Sequence, residues 1–269
     1  MGELSDSAGR FGYAAFAYTA HFTSREWAWE FLRHNDKFGA DYGPAVANFS
    51  LNQVSESRRT VVEREQRPHL ERWGIKYADA PTIHAGAASV FWTPEASAAV
   101  LRMYALCECK DMDTPLFNLG EIACKVTILL TAGMQHLLFQ EEGRSLQVQV
   151  SGYPMDNPVY LFSEAVLEPR EAPARLRTLR CFNDLLQTGH LLKRNFPSEP
   201  QGTRLCELLQ AWELSRIVSS HRSIATALYG ETRVETDWTD PHSGMQDHVR
   251  RTLKRAQKLV AQGYRSLLA

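Results

Sequence analysis

From Ser219 to Ala269 the chain reads SSHRSIATALYGETRVETDWTDPHSGMQDHVRRTLKRAQKLVAQGYRSLLA. A short segment comes first, then Gly230, then a connection carrying Trp238, then a long periodic segment from Met245. At about 100° per residue, Met245, Val249, Leu253, Ala256, Leu259 and Val260 fall within an arc of about 120°. Arg250, Arg251, Lys254, Arg255 and Lys258 fall on an opposite arc of about 140°, with Asp247 at the N-terminal end of that face. This spacing predicts an amphipathic helix with one buried side and one cationic side. In the shorter segment, Ser220 is placed to cap a helix whose buried stripe is Ile224, Ala225 and Leu228. Gly230 can take the left-handed conformation that ends such a helix.

The net charge of −1 hides an asymmetry. Residues 241–269 hold six Lys and Arg against one acid, a net of +5, while residues 1–120 and 121–240 each stand at −3. A local cationic excess of this kind suits a polyanionic partner. The bland alternative is a solvated helix face whose cations complement the C-terminal end of the helix dipole. The preceding helix weighs against that. A short helix, a glycine turn and a basic amphipathic helix together have the sequence form of a helix-turn-helix. Its second helix fits a major groove and meets phosphates and base edges. The connection from Glu231 to Ser243 exceeds the usual turn of roughly three or four residues, so a variant of the motif is expected.

Upstream, Thr23, Ser24, Arg25 and Glu26 form a capping box ahead of WAWEFLRHN, residues 27–35. Trp27, Trp29 and Phe31 suit either a core helix or an aromatic docking patch for a partner protein. Residues 50–73 carry both charge signs and few apolar positions, so a solvated helix interrupted near Pro68 is expected. Residues 89–92 suit a strand, and Pro94 is placed to open a helix running through Glu108. The polar stretch at 110–115 suggests a domain boundary. After it come strands at 122–130, 134–139 and 146–150, the last with strict alternation, and a possible fourth at 159–166. Such a meander has to cover its apolar face with helices. Two helices follow, at 171–187 and 203–218. The first has Leu176, Leu179, Phe182, Leu185 and Leu186 as its apolar side, and the second has Leu205, Leu208, Leu209, Trp212 and Ile217.

No apolar run reaches the ~18 residues of a membrane span, and the start MGELSDSAGR lacks the basic opening of a secretion signal. A cytoplasmic location and no membrane partner are expected. Cys107 and Cys109 make a C-x-C without a second pair, so reduced thiols are expected rather than a zinc site. No phosphate-binding loop, metalloprotease or hydrolase motif occurs, and the nine histidines are dispersed. No catalytic residue, metal or cofactor is expected.

The residues RSIATALYG (222–230), Val234, Trp238, VRR (249–251), RA (255–256), LV (259–260) and GYRSLL (263–268) resemble the signature of RovC/FseA-type bacterial transcriptional activators. WAWEFLRHN (27–35) and Tyr42 resemble the N-terminal module of FseA-like activators of mobile-element excision. At Ser223 the pattern more often has an acid. The resemblance implies a regulator that binds promoter DNA and activates genes of integrative conjugative elements or of type VI secretion. Carried onto matching positions, it makes Arg222, Arg250, Arg251 and Arg255 the DNA-facing cations; Lys254 and Lys258 join them by helical geometry. Implied partners are RNA polymerase or an antiactivator, and self-association is expected because one such motif reads few base pairs. The family also implies an alternative, a protein-interaction module that serves as antiactivator or adaptor without touching DNA. The expected fold is α+β and helix-rich: an N-terminal helical module at 1–115, then a DNA-binding domain at 116–269. The latter comprises a three- to four-stranded antiparallel meander at 122–166, helices at 171–218 and the variant helix-turn-helix at 219–262.

Overall fold

The computed structural model describes residues 13–46, 59–63, 68–108, 116–131, 133–163, 168–240 and 242–268. Its helices are α1 (Ser24–Arg33), α2 (Asp36–Val46), α3 (Pro68–Glu71), α4 (Ala172–Thr188), α5 (Gly202–Ser215), α6 (His221–Tyr229), α7 (Glu231–Asp237) and α8 (Met245–Ala261). Its strands are β1 (Arg59–Glu63), β2 (Ile75–Ala78), β3 (Val90–Trp92), β4 (Leu101–Leu106), β5 (Lys125–Thr131), β6 (Met134–Glu141), β7 (Arg144–Gly152) and β8 (Tyr160–Ser163). The fold is α+β. It forms two compact units, one of Met1–Asn35 with Ser198–Leu267 and one of Asp36–Pro197 with Leu268–Ala269. The units therefore do not divide at the boundary expected near residue 115. Strands β1 and β4 lie before that point yet share one sheet with the meander that follows it.

The first unit is helical. Its N-terminal 3-10 helix (Tyr13–Thr19) and α1 pack with α5, α8 and a closing 3-10 helix (Gly263–Leu267). The capping box forms: the Thr23 backbone N–H donates to the Glu26 carboxylate at 3.0 Å. Trp27 packs against Phe22 and Phe31 with ring centroids 5.7 and 5.9 Å apart. Inside α1, the buried Glu30 carboxylate accepts from Arg33 Nε at 2.8 Å and from the Tyr18 hydroxyl at 2.6 Å. Those bonds stabilise a charge that would otherwise be costly to bury.

The second unit is a six-stranded mixed sheet in the order β1-β5-β6-β7-β4-β8, with a separate antiparallel pair, β2-β3. Strands β5, β6 and β7 form the expected antiparallel meander. The β6–β7 turn has positive φ at both Glu142 (47°) and Gly143 (78°), as a two-residue hairpin requires. The possible fourth strand does not extend the meander: β8 pairs with β4, which runs parallel to β7 between them. The stretch predicted to be helical after Pro94 is turns followed by β4. There Leu101, Met103 and Ala105 are buried while Arg102 and Tyr104 are not, the period of a strand. Likewise, in the charged stretch at 50–73 the described residues form β1, parallel to β5, and the short α3 that starts at Pro68, in place of the expected solvated helix interrupted near Pro68. Residues 47–58 and 64–67 lie outside the described part.

Side-chain alternation separates the two sheet faces. Val126, Ile128, Leu137, Phe139, Leu146 and Val148 share a core with Cys181, Phe182 and Leu185 of α4. Burying a side chain such as Phe182 or Leu185 contributes about 1.5–3 kcal/mol. Leu129 and Leu138, on the opposite face, pack with Tyr77 of β2 and Phe91 of β3. Gln147, fully buried there, accepts from the Trp92 N–H at 3.0 Å and donates to the Trp92 carbonyl at 2.8 Å. Helix α4 departs from its expected packing. Phe182 and Leu185 are buried as its apolar pattern suggests, but Leu176, Leu179 and Leu186 face solvent. All five lie within half of the helix circumference, and the sheet covers only part of that arc.

Candidate nucleic-acid interface

Helix α8 is positioned by what its apolar arc touches. Met245, Val249, Thr252, Ala256 and Val260 are buried, and Leu253 and Leu259 are half-buried. Met245 and Val249 join Leu214, Ile224, Ala225 and Val234 in one cluster, with Trp238 packed beside it. Neighbouring helices α5, α6 and α1 thus cover one side of α8. On its other side Arg250, Arg251, Lys254, Arg255 and Lys258 are all exposed. Arg250 lies 3.0 Å from Asp247, but both groups are well exposed, so that pair neutralises little. Arg251 Nε donates to the Asp247 carbonyl at 3.2 Å.

The ends of α8 are held from distant parts of the chain. At its C-terminus, Asn35 donates to the carbonyls of Val260 at 2.8 Å and Ala261 at 3.3 Å. These are acceptors that a helix end leaves unpaired. Nearer its N-terminus stands a polar clamp that the sequence did not disclose. Glu207 of α5 accepts from the Tyr229 hydroxyl of α6 at 2.5 Å and lies 3.4 Å from His248 Nε2 of α8. Arg204, one turn before Glu207, pairs with that carboxylate and donates to the Thr252 hydroxyl at 3.0 Å. Burial opposes ionisation of Glu207, yet the hydrogen bonds from Tyr229 and Arg204 outweigh it and hold the carboxyl below its ordinary range. Burial and the neighbouring carboxylate raise the Tyr229 hydroxyl. Glu207 and Tyr229 are 22 residues apart in sequence and Arg204 and Thr252 are 48, so no local pattern could reveal those contacts.

Arg222 is exposed in the first turn of α6. Ser220 caps that helix by accepting the Ser223 N–H at 3.0 Å. The segment expected to be one long connection contains α7, seven residues that begin directly at Gly230. Gly230 has φ 87° and ψ 151°, a conformation essentially confined to glycine. Val234 is the buried residue of α7, and its other side chains are charged or polar, Arg233 among them.

The structure removes one expectation. Trp27, Trp29 and Phe31 are almost completely buried within the helical unit, so they form core and present no aromatic docking patch. Of the cysteines, Cys107, Cys124, Cys181 and Cys206 are free, and burial raises the thiols of the last three. Cys109 lies outside the described residues. Among the described residues no group of His, Cys, Asp and Glu could hold a metal ion. No described helix is long and apolar enough to cross a membrane.

With this geometry in hand, residues 159–269 match the family model described as the type VI secretion transcription factor, DNA-binding domain. The C-terminal part of the chain is thus similar to RovC-type DNA-binding domains. Residues 13–78 match a second family, the proteobacterial transcriptional regulator-like domain. No curated protein matches the chain. The RovC-type domain takes in β8, α4 and all of α5 to α8, so the cationic helix and its clamp lie inside it. The regulator-like match takes in α1 and Asn35, the residue that closes the end of α8. The chain is accordingly a transcriptional regulator with a DNA-binding domain.

Proposed function

We propose that the protein is a transcriptional activator whose α8 lays its cationic face on promoter DNA. What supports this is one observation: five exposed cations share the open side of a helix whose opposite side is buried, within a matched DNA-binding domain. A helix held by three neighbours and clamped at both ends keeps its cations in a fixed array, as groove docking requires. In this proposal α6 and α8 are the two helices of a helix-turn-helix variant, with α7 inserted between them. Arg250, Arg251, Lys254, Arg255 and Lys258 contact phosphates and base edges, and Arg222 adds a phosphate contact from α6. The regulated genes belong to type VI secretion or to excision and transfer of an integrative conjugative element. The regulator works in the cytoplasm as a homo-oligomer, since repeated half-sites multiply the few base pairs one motif reads. Its regulator-like N-terminal segment engages RNA polymerase or an antiactivator.

The test is a gel-shift titration of promoter fragments with the wild type and an Arg250→Ala/Arg251→Ala double variant. Both residues are exposed, so the fold should survive, as checked by circular dichroism. Binding should weaken at least tenfold, and the slope of log affinity against log salt should become shallower by about two. Unchanged affinity in a folded double variant would sink the proposed interface. Genome-wide occupancy gives a second check: discrete promoter peaks support an activator, and their absence supports an adaptor.

A further inference from the structure

Helix α4 has a second, uncovered apolar side. Ala174, Thr178, Cys181, Phe182 and Leu185 are buried. Leu176, Leu179 and Leu186 are 66%, 37% and 46% exposed. At helical spacing these three lie within about 80° of one another, with exposed Asn183 among them. Arg180 and Arg177 follow along one edge of the stripe. Both are exposed, and among the described residues neither has an ion-pair partner. The one acid within α4, Asp184, falls on that same edge at helical spacing, but its carboxylate is buried and accepts from Arg194 at 3.0 Å and Asn195 at 2.9 Å. The solvent side of α4 therefore presents three leucines and two arginines and no exposed acid.

A single exposed leucine needs no explanation, but a stripe running most of the length of a helix marks an interaction surface. The charges select its occupant. In a symmetric pairing of two copies of α4, each stripe would bring a cationic edge and neither would bring an acid, so like charges would oppose association. DNA offers no apolar stripe to meet the leucines. We infer that α4 docks an amphipathic helix of a partner protein whose apolar stripe is edged by aspartate or glutamate. Leu176, Leu179 and Leu186 would pack against that stripe, and Arg177 and Arg180 would pair with the acids, as in other helix-on-groove recognition. This surface belongs to the sheet unit and is independent of DNA contact by α8.

The experiment uses the full-length protein and two fluorescent synthetic helices of about three heptads. Both carry the same leucine stripe, one edged by Glu and the other by Lys. Anisotropy titrations should show binding of the Glu helix and at least tenfold weaker binding of the Lys helix. Arg177→Glu/Arg180→Glu should reverse that preference. Leu176→Ser/Leu186→Ser should abolish binding of both helices while leaving promoter gel shifts unchanged. Because all four residues are solvent-exposed, thermal melts should stay close to wild type. Equal binding of the two helices, absence of binding by the Glu helix, or retention of the Glu preference after charge reversal would each overturn the inference. So would light scattering showing that the Leu176→Ser/Leu186→Ser variant changes from dimer to monomer, because the occupant would then be a second copy.

Discussion

At residue 207 one carboxylate serves three helices. Glu207 of α5 takes the Tyr229 hydroxyl of α6 and approaches His248 of α8, while Arg204 joins it to Thr252. Removing its charge leaves Arg204 without its counter-ion and weakens the bond to Tyr229. A Glu207→Gln variant should lose about 1–2 kcal/mol of stability in urea denaturation, in line with a partly buried, charge-assisted hydrogen bond. Tyr229→Phe removes one hydroxyl from the same clamp, so combining the two should cost less than the sum of the singles. A strictly additive double variant would show that the clamp does not act as a unit. The cationic residues of α8 work differently. They contribute little to folding because they are exposed, so their substitution should register in DNA affinity and not in stability.

At the scale of elements, the junction of α6 and α7 depends on its backbone. Gly230 alone separates the two helices, and its φ of 87° with ψ of 151° is strained for any residue with a side chain. No atom lies within 4 Å of where a β-carbon would stand. The cost of Gly230→Ala is therefore conformational and not steric, about 1–3 kcal/mol. Thermal melts should show a lower Tm for that variant, and a value equal to wild type would mean that the junction relaxes freely. The elements differ in how far their sequences announce them. Helix α8 was legible because its apolar and cationic arcs are cleanly opposed. Helix α7 was not, because Val234 is its one buried position and a single residue sets no period. Strand β4 was hidden behind the helix-favouring residues that precede it, although Leu101, Met103 and Ala105 carry the period of a strand.

At the scale of the whole molecule, His136 ties stability to pH. It is 1% exposed on the face of β6 under the β2–β3 pair, and burial, with Lys76 adding like charge, pushes its imidazole down to about 4. The ordinary value is 6.5, so the unfolded chain binds a proton more readily than the folded one. Stability contributed by the neutral ring is complete above about pH 6.5 and falls as the pH drops toward 4, by on the order of 3 kcal/mol in all. Denaturation at pH 7.5 and pH 5 should show this loss in the wild type. His136→Gln should flatten the dependence, and an undiminished slope in that variant would place the titrating group elsewhere.

By itself the sequence determined which segments could bury an apolar side, where the positive charge concentrates, and which two families the chain resembles. Those properties reside in spacing and composition, and α8, the β5–β7 meander and the Thr23 and Ser220 caps follow from them. Tertiary structure alone decided which apolar residues are actually covered. Trp27, Trp29 and Phe31 became core because α1 packs among the C-terminal helices, while Leu176, Leu179 and Leu186 stayed in solvent because the sheet reaches only one side of α4. It also decided that Asn35 closes a helix that ends 226 residues later. Hydrophobic periodicity records that a side chain can be buried, but burial needs a neighbour, and long-range contacts supply that neighbour.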